Sequence, residues 1–377
     1  GRVMLQVENT GNAYWSTLHN VQVAHNDILG GTYANYQVEV TVTYERDGFW
    51  ERAISASAIT LSNSNGTGTA LNIANCNDGT GTAPNKLANY VELDINDVDG
   101  DVATPAYLYV YNSENSSYGD ETIYAGGIIR NTVKPTLFLE AEAASGGTNT
   151  ADATCSGGYK ESIVLASGTE VKLAWTLTNP ERYLGQWYKC IGRLVEGFTS
   201  SAVMAVNFQW RVLSNSVEVW RGPWFRINNT VRTSPTLLCL VQEFGEMPLP
   251  PLSNMTGTMS IVLACVQSTG ASISFSLDYI QLMAANCFIK ATGFGPVEYS
   301  KAVYVPEPNS IRLVPMRVDG TNYYDWYTVY AKTLMLYPGI PQTIHFVIQA
   351  EDSLKAEKDR NSTISIYYRP RYRSIGE

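Results

Sequence analysis

The sequence predicts an all-β protein built from three tandem antiparallel β-sandwich modules. Apolar residues alternate with period two along the whole chain, as in YQVEVTVTYE at 36–45, EVKLAWTL at 170–177 and MAVNFQWRV at 204–212. Clusters of Gly, Asn, Ser and Pro separate these runs, and helical periodicity is nearly absent. Antiparallel sandwiches produce this pattern, whereas parallel α/β folds need long crossover helices.

Length and composition limit the kinds of protein that this chain can be. Its 377 residues fit roughly two or three domains at about 100–200 residues each. Hydrophobic residues make up 45% of the chain, enough for real cores, and charged residues make up 16%, against about 25% in typical soluble domains. The polar surface must therefore consist mostly of Ser, Thr, Asn and Gly, a composition that suits extracellular or virion proteins and argues against disorder.

Charge and hydropathy exclude two classes of partner. The net charge is −9, and the chain lacks the basic patch expected of a nucleic-acid-binding protein. No apolar run reaches the length of a membrane-spanning helix. We therefore expect neither a nucleic-acid partner nor membrane insertion.

Shifts in composition predict the boundaries of the three modules, which are of the jelly-roll or Ig-like type. The N-terminal sandwich occupies residues 1–133, a jelly-roll domain 137–283, and the C-terminal sandwich 284–377. The segment NTVKPT at 131–136 is an expected linker, because Pro135 favours an extended junction. In the third module, TIHFVIQ and STISIYY supply further alternating strands.

No catalytic motif is present, so we expect that the protein is not an enzyme. There is no GxSxG elbow and no phosphate-binding loop. His19 and His25 lie too far apart on one strand for a single metal, and His345 lies opposite the apolar face of its strand. The 6 cysteines form no CxxC pair; buried thiols and one or two disulfides both remain open.

The stretch LEAE at 139–142 places two carboxylates, Glu140 and Glu142, after an apolar run. Alternate residues of a strand share a face, so we expect the two side chains to project the same way. A catalytic pair is disfavoured, because neighbours on one strand face rarely flank a substrate as glycosidase carboxylates do. The remaining alternatives are a metal site and two solvated glutamates.

Several segments of the second module follow one another in a familiar order: LEAE, SGGYKESIVL at 156–165, GQWYKCIGRL at 185–194 and ISFSLDYIQLM at 273–283. In this order the module resembles the jelly-roll carbohydrate-binding modules that open with a Glu-Ala-Glu strand. The resemblance implies a structural Ca²⁺ held by Glu140, Glu142 and Asp278, with carbonyls and water completing the oxygen shell.

Two tryptophans of the same module, Trp220 and Trp224 in VEVWRGPWFRI, are candidate ligand-binding residues. Exposed tryptophans could stack on sugar rings. The alternative is that both belong to the core or to an interface.

Two charged segments have competing interpretations. DINDVDGDV at 94–102 brings Asp97, Asp99 and Asp101 together, but it lacks the EF-hand register, so a polar hairpin turn is favoured over a calcium loop. Arg369 and the two arginines after it could touch phosphates. A solvated or interface-bound terminal strand is the alternative that we favour.

The ends of the chain point to a class of function. The closing TISIYYRPRYRSI and the opening VMLQVENTGNAYW resemble β-rich structural proteins encoded by tailed bacteriophages. The resemblance implies a structural virion protein, either a capsid-decorating or a tail protein, that assembles with copies of itself and other virion proteins and contacts host-surface glycans. The alternative is a secreted carbohydrate-binding or adhesin protein.

Overall fold

The computed structural model describes most of the strand-forming parts of the chain. The described residues are 3–9, 11–26, 39–53, 58–76, 88–112, 121–129, 137–177, 185–195, 205–227, 241–250, 258–294, 302–305, 316–318, 321–323, 327–328, 334–349 and 362–374. The predicted linker at 131–136 lies outside them.

The described residues form 29 strands and two short 3₁₀ turns. The strands before the second module are β1 Val3–Asn9, β2 Asn12–Asn26, β3 Glu39–Arg46, β4 Trp50–Arg52, β5 Leu61–Asn63, β6 Gly66–Gly68, β7 Leu71–Ile73, β8 Tyr90–Leu93, β9 Thr104–Asn112 and β10 Glu121–Ile129. Those of the second module are β11 Phe138–Glu140, β12 Thr148–Ala151, β13 Tyr159–Leu165, β14 Val171–Leu177, β15 Gln186–Val195, β16 Val206–Ser214, β17 Val217–Arg221, β18 Val241–Leu249, β19 Met259–Gln267 and β20 Ile273–Ala284, with 3₁₀ turns at Ala141–Ala143 and Ser156–Gly158. The remaining strands are β21 Phe288–Phe294, β22 Ala302–Val305, β23 Met316–Val318, β24 Thr321–Tyr323, β25 Tyr327–Thr328, β26 Met335–Leu336, β27 Gln342–Gln349, β28 Ser362–Tyr368 and β29 Arg371–Tyr372.

The all-β prediction is confirmed, and the alternating runs form strands as expected. In β14, for example, Leu173, Trp175 and Leu177 are buried while the residues between them are more exposed. Such alternation places one face of each strand in a core and the other toward water or another layer.

The second module is a jelly roll. Its inner sheet has the strand order β12-β13-β20-β15-β18, with β11 beside β20, and its outer sheet has the order β14-β19-β16-β17. Consecutive strands from β13 to β16 alternate between the two sheets, and strands β18, β19 and β20 again alternate between them. This strand order is the double Greek key of a jelly roll. Leu173, Trp210, Phe244 and Leu282 are among the side chains that fill its core.

Strands from both ends of the chain form a second sandwich, which we call the platform. Its inner sheet has the order β25-β21-β10-β27-β8-β5-β6, and its outer sheet has the order β24-β23-β22-β9-β28-β7, with β26 beside β9. Leu93, Val110, Phe346 and Ile364 belong to its core. The central order β7-β28-β9-β22 facing β8-β27-β10-β21 is again that of a jelly roll.

The architecture is therefore one jelly roll nested in another, rather than three modules in tandem. The predicted separate sandwiches at 1–133 and 284–377 are corrected by the pairing of β28 with β7 and β9 and of β27 with β8 and β10. The sheets of the second module draw their strands from Phe138 to Ala284, between platform strands β10 and β21. Period-two alternation shows which face of a strand is buried, but it does not name the partner strand.

The two sandwiches pack against each other through the outward faces of their inner sheets. The contact is a buried cluster from both sides: Tyr124, Phe288 and Val347 of the platform, and Phe138, Ile191, Val241, Tyr279 and Met283 of the jelly roll. The Asn89 amide donates to Gln281 Oε1 across it at 2.6 Å. Lys290 of the platform pairs with Glu243 of the jelly roll. A buried contact of this kind holds two domains in a fixed orientation.

Strands β1–β4 form a separate N-terminal sheet, ordered β1-β2-β4-β29 with β3 beside β2. Among its described residues, no hydrophobic side chain is fully buried. In its described part, the predicted N-terminal sandwich is therefore a single sheet with no buried hydrophobic core of its own. The sheet is joined to the platform by β29, which pairs with β4.

Candidate functional site

The predicted calcium ligands lie near one another at one end of the jelly roll, but they do not form the expected strand pair. Strand β11 ends at Glu140, and Glu142 falls in the following 3₁₀ turn, which Ala144 N–H closes by donating to Ala141 O at 2.9 Å. Ser156 links the first glutamate to Asp278, because its hydroxyl donates to Glu140 Oε1 and its backbone N–H donates to Asp278 Oδ1, each at 2.8 Å.

Asp278 is a poor candidate for a calcium ligand, because both of its oxygens already have partners. Oδ1 accepts from Ser156, and Oδ2 accepts from the guanidinium of Arg193, which is equally buried. Arg193 also donates to Thr154 O at 3.0 Å. Burial raises the pKa of Asp278 to about 6, and the Arg193 charge opposes that rise. The positive charge beside this carboxylate is supplied by the protein itself.

Glu142 and Glu161 are better candidates than Asp278 for binding a cation. Glu161 is 2% exposed, and its Oε2 has no hydrogen-bond partner; Glu142 Oε2 is likewise buried and unbonded. Burial raises the pKa of both groups, and the Glu161 charge adds to the rise at Glu142. A side chain at Gly147 would lie 2.5 Å from Glu161 Oε1, and one at Gly157 would collide with Glu142 Oε1.

The predicted calcium set of Glu140, Glu142 and Asp278 therefore remains a prediction. Within the described ranges, no three His, Cys, Asp or Glu side chains converge closely enough to hold a metal ion. Glu161 was missed by the sequence reasoning, although a signal was present. It shares a strand face with buried Ile163 and Leu165, so it is a carboxylate at an inward-facing position.

The two candidate sugar-binding tryptophans occupy different environments. Trp224 is 43% exposed, whereas Trp220 is half-buried and packs against the jelly-roll core. The Arg211 guanidinium lies 5.9 Å from the Trp224 ring centre and is itself held by Glu170, to which it donates from two nitrogens. The Trp224 ring is therefore solvent-exposed, and it lies above the Arg211 guanidinium, which Glu170 holds in place.

A third tryptophan contacts Trp220. Trp187 is 53% exposed and meets Trp220 edge to face, with ring centres 6.3 Å apart. We call the Trp187–Trp220 pair the tryptophan surface. The signal for Trp187 was its position next to Tyr188, which is fully buried, because neighbouring strand residues face opposite ways.

The acidic loop and the basic C-terminal strand bind each other. Asp99 Oδ2 accepts from Tyr372 Oη at 2.8 Å and from Arg52 at 3.0 Å, and Asp101 Oδ1 accepts from Arg373 N–H at 2.7 Å. Arg371 donates from two nitrogens to Glu51 of the N-terminal sheet. The acidic loop is thus a polar turn, as favoured over the calcium loop, and it contacts the C-terminal strand of the same chain.

The outward face of the outer platform sheet is rich in tyrosine. Tyr107, Tyr109 and Tyr111 alternate with core residues of β9, and Tyr367 of β28 stands opposite Tyr107 in the register. Tyr109 is 39% exposed, and Tyr111 and Tyr367 are half-buried, whereas Tyr107 is buried beneath the Arg369 guanidinium. We call Tyr109, Tyr111 and Tyr367 the tyrosine face. The inner platform sheet lies between it and the jelly roll.

An apolar stripe runs along the N-terminal sheet. Val23 and Val42 are cross-strand partners that are 62% and 47% exposed, and Tyr44 is 41% exposed. We call Val21, Val23, Val42 and Tyr44 the valine stripe. Val23, Val42 and Tyr44 are exposed, and Val21 is half-buried.

Comparison with known proteins gives distant structural similarities. No family model matches the chain, and no curated protein matches it. The structure is similar to a family 35 carbohydrate binding module from an environmental isolate, at 16% identity over 44% of this chain and 98% of that chain, with a TM-score of 0.23. No helix in the described residues is long and apolar enough to cross a membrane.

Viral proteins are also among the similar structures. Infectious bursal disease virus Gt strain matches at 8% identity over 94% of this chain and 82% of that chain, with a TM-score of 0.22. The VP2 subviral particle of infectious bursal disease virus matches at 10% identity over 86% and 81%, also with a TM-score of 0.22. TM-scores of this size carry no argument about function.

Proposed function

We propose that this chain is a non-enzymatic structural protein of a virus particle, a capsid-decorating or tail protein of a tailed phage, that assembles with copies of itself and other virion proteins. The tyrosine face is the observation that carries the proposal. Tyrosine brings a large contact area at low cost in side-chain entropy, and it is enriched at protein interfaces. The face lies on the side of the platform away from the jelly roll, so neighbouring platforms can join while each jelly roll projects.

The valine stripe supports the same proposal. Exposed cross-strand valines with no core beneath them are unfavourable in an isolated subunit, and burial against another copy removes that apolar surface from water. The chain's low content of charged residues reduces the cost of removing charge from water at such contacts.

Size-exclusion chromatography with multi-angle light scattering tests the assembly. We expect the wild-type protein to form a defined oligomer, and Tyr109→Lys to shift it toward monomer because a charge would be buried in the contact. Tyr159→Lys is the matched control, since Tyr159 is 45% exposed but lies on β13 of the jelly roll. A wild-type monomer at all concentrations would remove the proposal.

A second candidate function, supported by the tryptophan surface and by Trp224, is glycan binding, either at the host surface or as the work of a secreted carbohydrate-binding protein. Exposed tryptophan rings offer apolar faces on which sugar rings stack, and the Arg211–Glu170 pair beside Trp224 offers polar groups. The surface lies where the β17 and β18 edges of the two jelly-roll sheets meet.

A glycan array followed by titration of the best ligand tests this second function. We expect Trp224→Ala and Trp187→Ala each to weaken binding by about tenfold, equivalent to roughly 1.4 kcal/mol. Tyr159→Ala should leave the affinity unchanged, because β13 lies toward the opposite edge of its sheet from β18. Absence of any array signal, or equal loss in all three variants, would count against the function.

A structural Ca²⁺ ion is part of this proposal, with a changed ligand set. Glu142 and Glu161 supply buried oxygens without partners, and carbonyls and water would complete the oxygen shell. Bound Ca²⁺ would neutralise these carboxylates. Asp278 is left out of the set, because Arg193 already neutralises it.

A further inference from the structure

His345 lies at the contact between the platform and the jelly roll. In β27, Ile344, Phe346 and Ile348 point into the platform core, so His345 and Val347 point the opposite way. Val347 belongs to the buried cluster shared with the jelly roll. His345 is 6% exposed.

The neighbours of His345 place it under the jelly roll. Its cross-strand partners are Gly126 on one side and Tyr90 on the other. A Cβ at Gly126 would lie 2.6 Å from Met283 Cβ, so the jelly roll comes down on the sheet directly beside the imidazole. The hydrogen bond from Asn89 to Gln281 crosses the contact one residue before Tyr90.

The surroundings of the imidazole suit its neutral form. Its Nδ1 is buried and has no hydrogen-bond partner, and the Tyr90 ring lies 6.4 Å away. Burial lowers the pKa of His345 to about 4, below its usual value near 6.5. A protonated ring here would be a buried charge, which is costly unless it is paired or reaches water.

The titratable groups on the strands packed around His345 determine which charges a protonated imidazole would interact with. On the platform they are Tyr90 and Glu92 of β8, Tyr124 of β10 and Lys290 of β21. On the jelly roll they are Lys189 and Arg193 of β15, Glu243 and Glu246 of β18, and Tyr279 of β20. None of them forms an ion pair with His345 in the described structure. Glu243 is already paired with Lys290, and acid strong enough to protonate it weakens the same contact.

We propose that the contact between the two sandwiches is an acid-sensitive joint, in which protonation of His345 loosens the inserted jelly roll from the platform while both sandwiches stay folded. The imidazolium gains water when the joint opens, so acid favours the open arrangement. Opening would also expose Phe288, Val347 and Met283, an apolar surface that is closed at neutral pH.

Hydrogen exchange with mass spectrometry tests the joint, comparing variants at each pH from 7.5 to 4.0 so that intrinsic exchange rates cancel. We expect peptides covering β27 and β20 to exchange at least several-fold faster in the wild type than in His345→Gln below about pH 5. A peptide covering β16, in the jelly-roll core, should not differ. His19→Gln is the control, because His19 is exposed and pairs with Asp47.

Two results would overturn the proposal. The first is equal exchange of the β27 and β20 peptides in wild type and His345→Gln throughout the range. If His345→Gln does not fold at neutral pH, the wild type decides by itself through the NMR titration of the His345 C2 proton. The loss of hydrogen-exchange protection at the joint must then occur over the same pH range as protonation of His345. A loss of protection over a different pH range contradicts the proposal.

Discussion

At the scale of single residues, the jelly roll solves the problem of buried carboxylates in two different ways. Asp278 is fully buried and is neutralised by Arg193. Glu161 is equally hidden but has an oxygen with no hydrogen-bond partner, and Glu142 adds a second negative charge nearby. Asp278 is therefore neutralised within the fold, whereas Glu161 and Glu142 need a proton or a cation.

Glu161→Gln separates these possibilities. Because burial raises the pKa of Glu161 in the folded state, its ionisation costs stability above the unfolded pKa near 4.5. With chelator at pH 7.5, we expect Glu161→Gln to raise the free energy of unfolding in urea by on the order of 1 kcal/mol. The gain should disappear as the pH falls below about 4.5, where the carboxyl is protonated in both states.

Added Ca²⁺ should reverse the sign of that effect. Bound Ca²⁺ stabilises the wild type. In Glu161→Gln the ion has one ligand fewer and binds more weakly, so the variant should become the less stable protein. Glu218→Gln serves as the control, since Glu218 is part of a surface pair with Arg221 and we expect no measurable change. If Ca²⁺ leaves both melting curves unmoved, the calcium proposal fails.

The sequence predicted the neighbourhood of this site better than its members. Ser156 links Glu140 to Asp278, and Glu142 lies beside Gly157, whereas calcium binding by these three residues remains a prediction. What could not be predicted was that β11 ends at Glu140, or that Arg193 reaches Asp278, because both depend on how β15 and β20 pair. Glu161 could have been found as the charged residue on an otherwise buried strand face.

At the scale of elements, the C-terminal strand β29 fastens the N-terminal sheet to the platform. It pairs with β4, and Arg371 bonds to Glu51 while its backbone meets Gly100 of the acidic loop. Gly100 has a φ of +110°, and a Cβ there would lie 2.6 Å from Arg371 O. Only glycine allows this approach without strain.

Gly100→Ala should release this strand. We expect a loss of stability on the order of 1–3 kcal/mol and faster trypsin cleavage after Arg371 and Arg373, measured by mass spectrometry. Gly339→Ala is the matched control, because Gly339 also has a positive φ of 71° but nothing lies within 4 Å of its added Cβ. Equal cleavage in both variants would show that the contact with Arg371 does not hold the strand.

Strand positions were predictable from the sequence because alternation is a local property. The runs at β14, β16, β27 and β28 all form strands where the pattern placed them. Their partners were not predictable, since β28 lies between β7 and β9 from the other end of the chain. Composition shifts predicted a domain at 137–283, and the jelly-roll strands run from Phe138 to Ala284, but the same shifts gave no sign that the flanking segments pair with each other.

At the scale of the whole molecule, two jelly rolls with the same central strand order share one buried contact. Phe288 and Val347 of the platform pack with Met283 and Tyr279 of the jelly roll, which should couple the unfolding of the two sandwiches. We therefore expect one calorimetric transition for the wild-type protein at neutral pH.

Gly126→Ala should split that transition into two. The added methyl group would lie 2.6 Å from Met283 Cβ and 3.2 Å from its Cα, so the sandwiches must move apart, at a cost of roughly 1–3 kcal/mol. Gly68→Ala is the control, because Gly68 also lies in a strand but its added Cβ makes only ordinary contacts. A single transition in Gly126→Ala at an unchanged temperature would show that the contact does not couple the domains.

The nesting of the strands also bears on how the protein is made. All strands of the inserted jelly roll leave the ribosome before β27 and β28, which are central strands of the two platform sheets. The nascent chain can therefore complete the projecting domain first, whereas the platform closes only after the last strands arrive. A chain interrupted after β21 therefore has every strand of the inserted jelly roll, but its outer platform sheet lacks β28 and with it Tyr367.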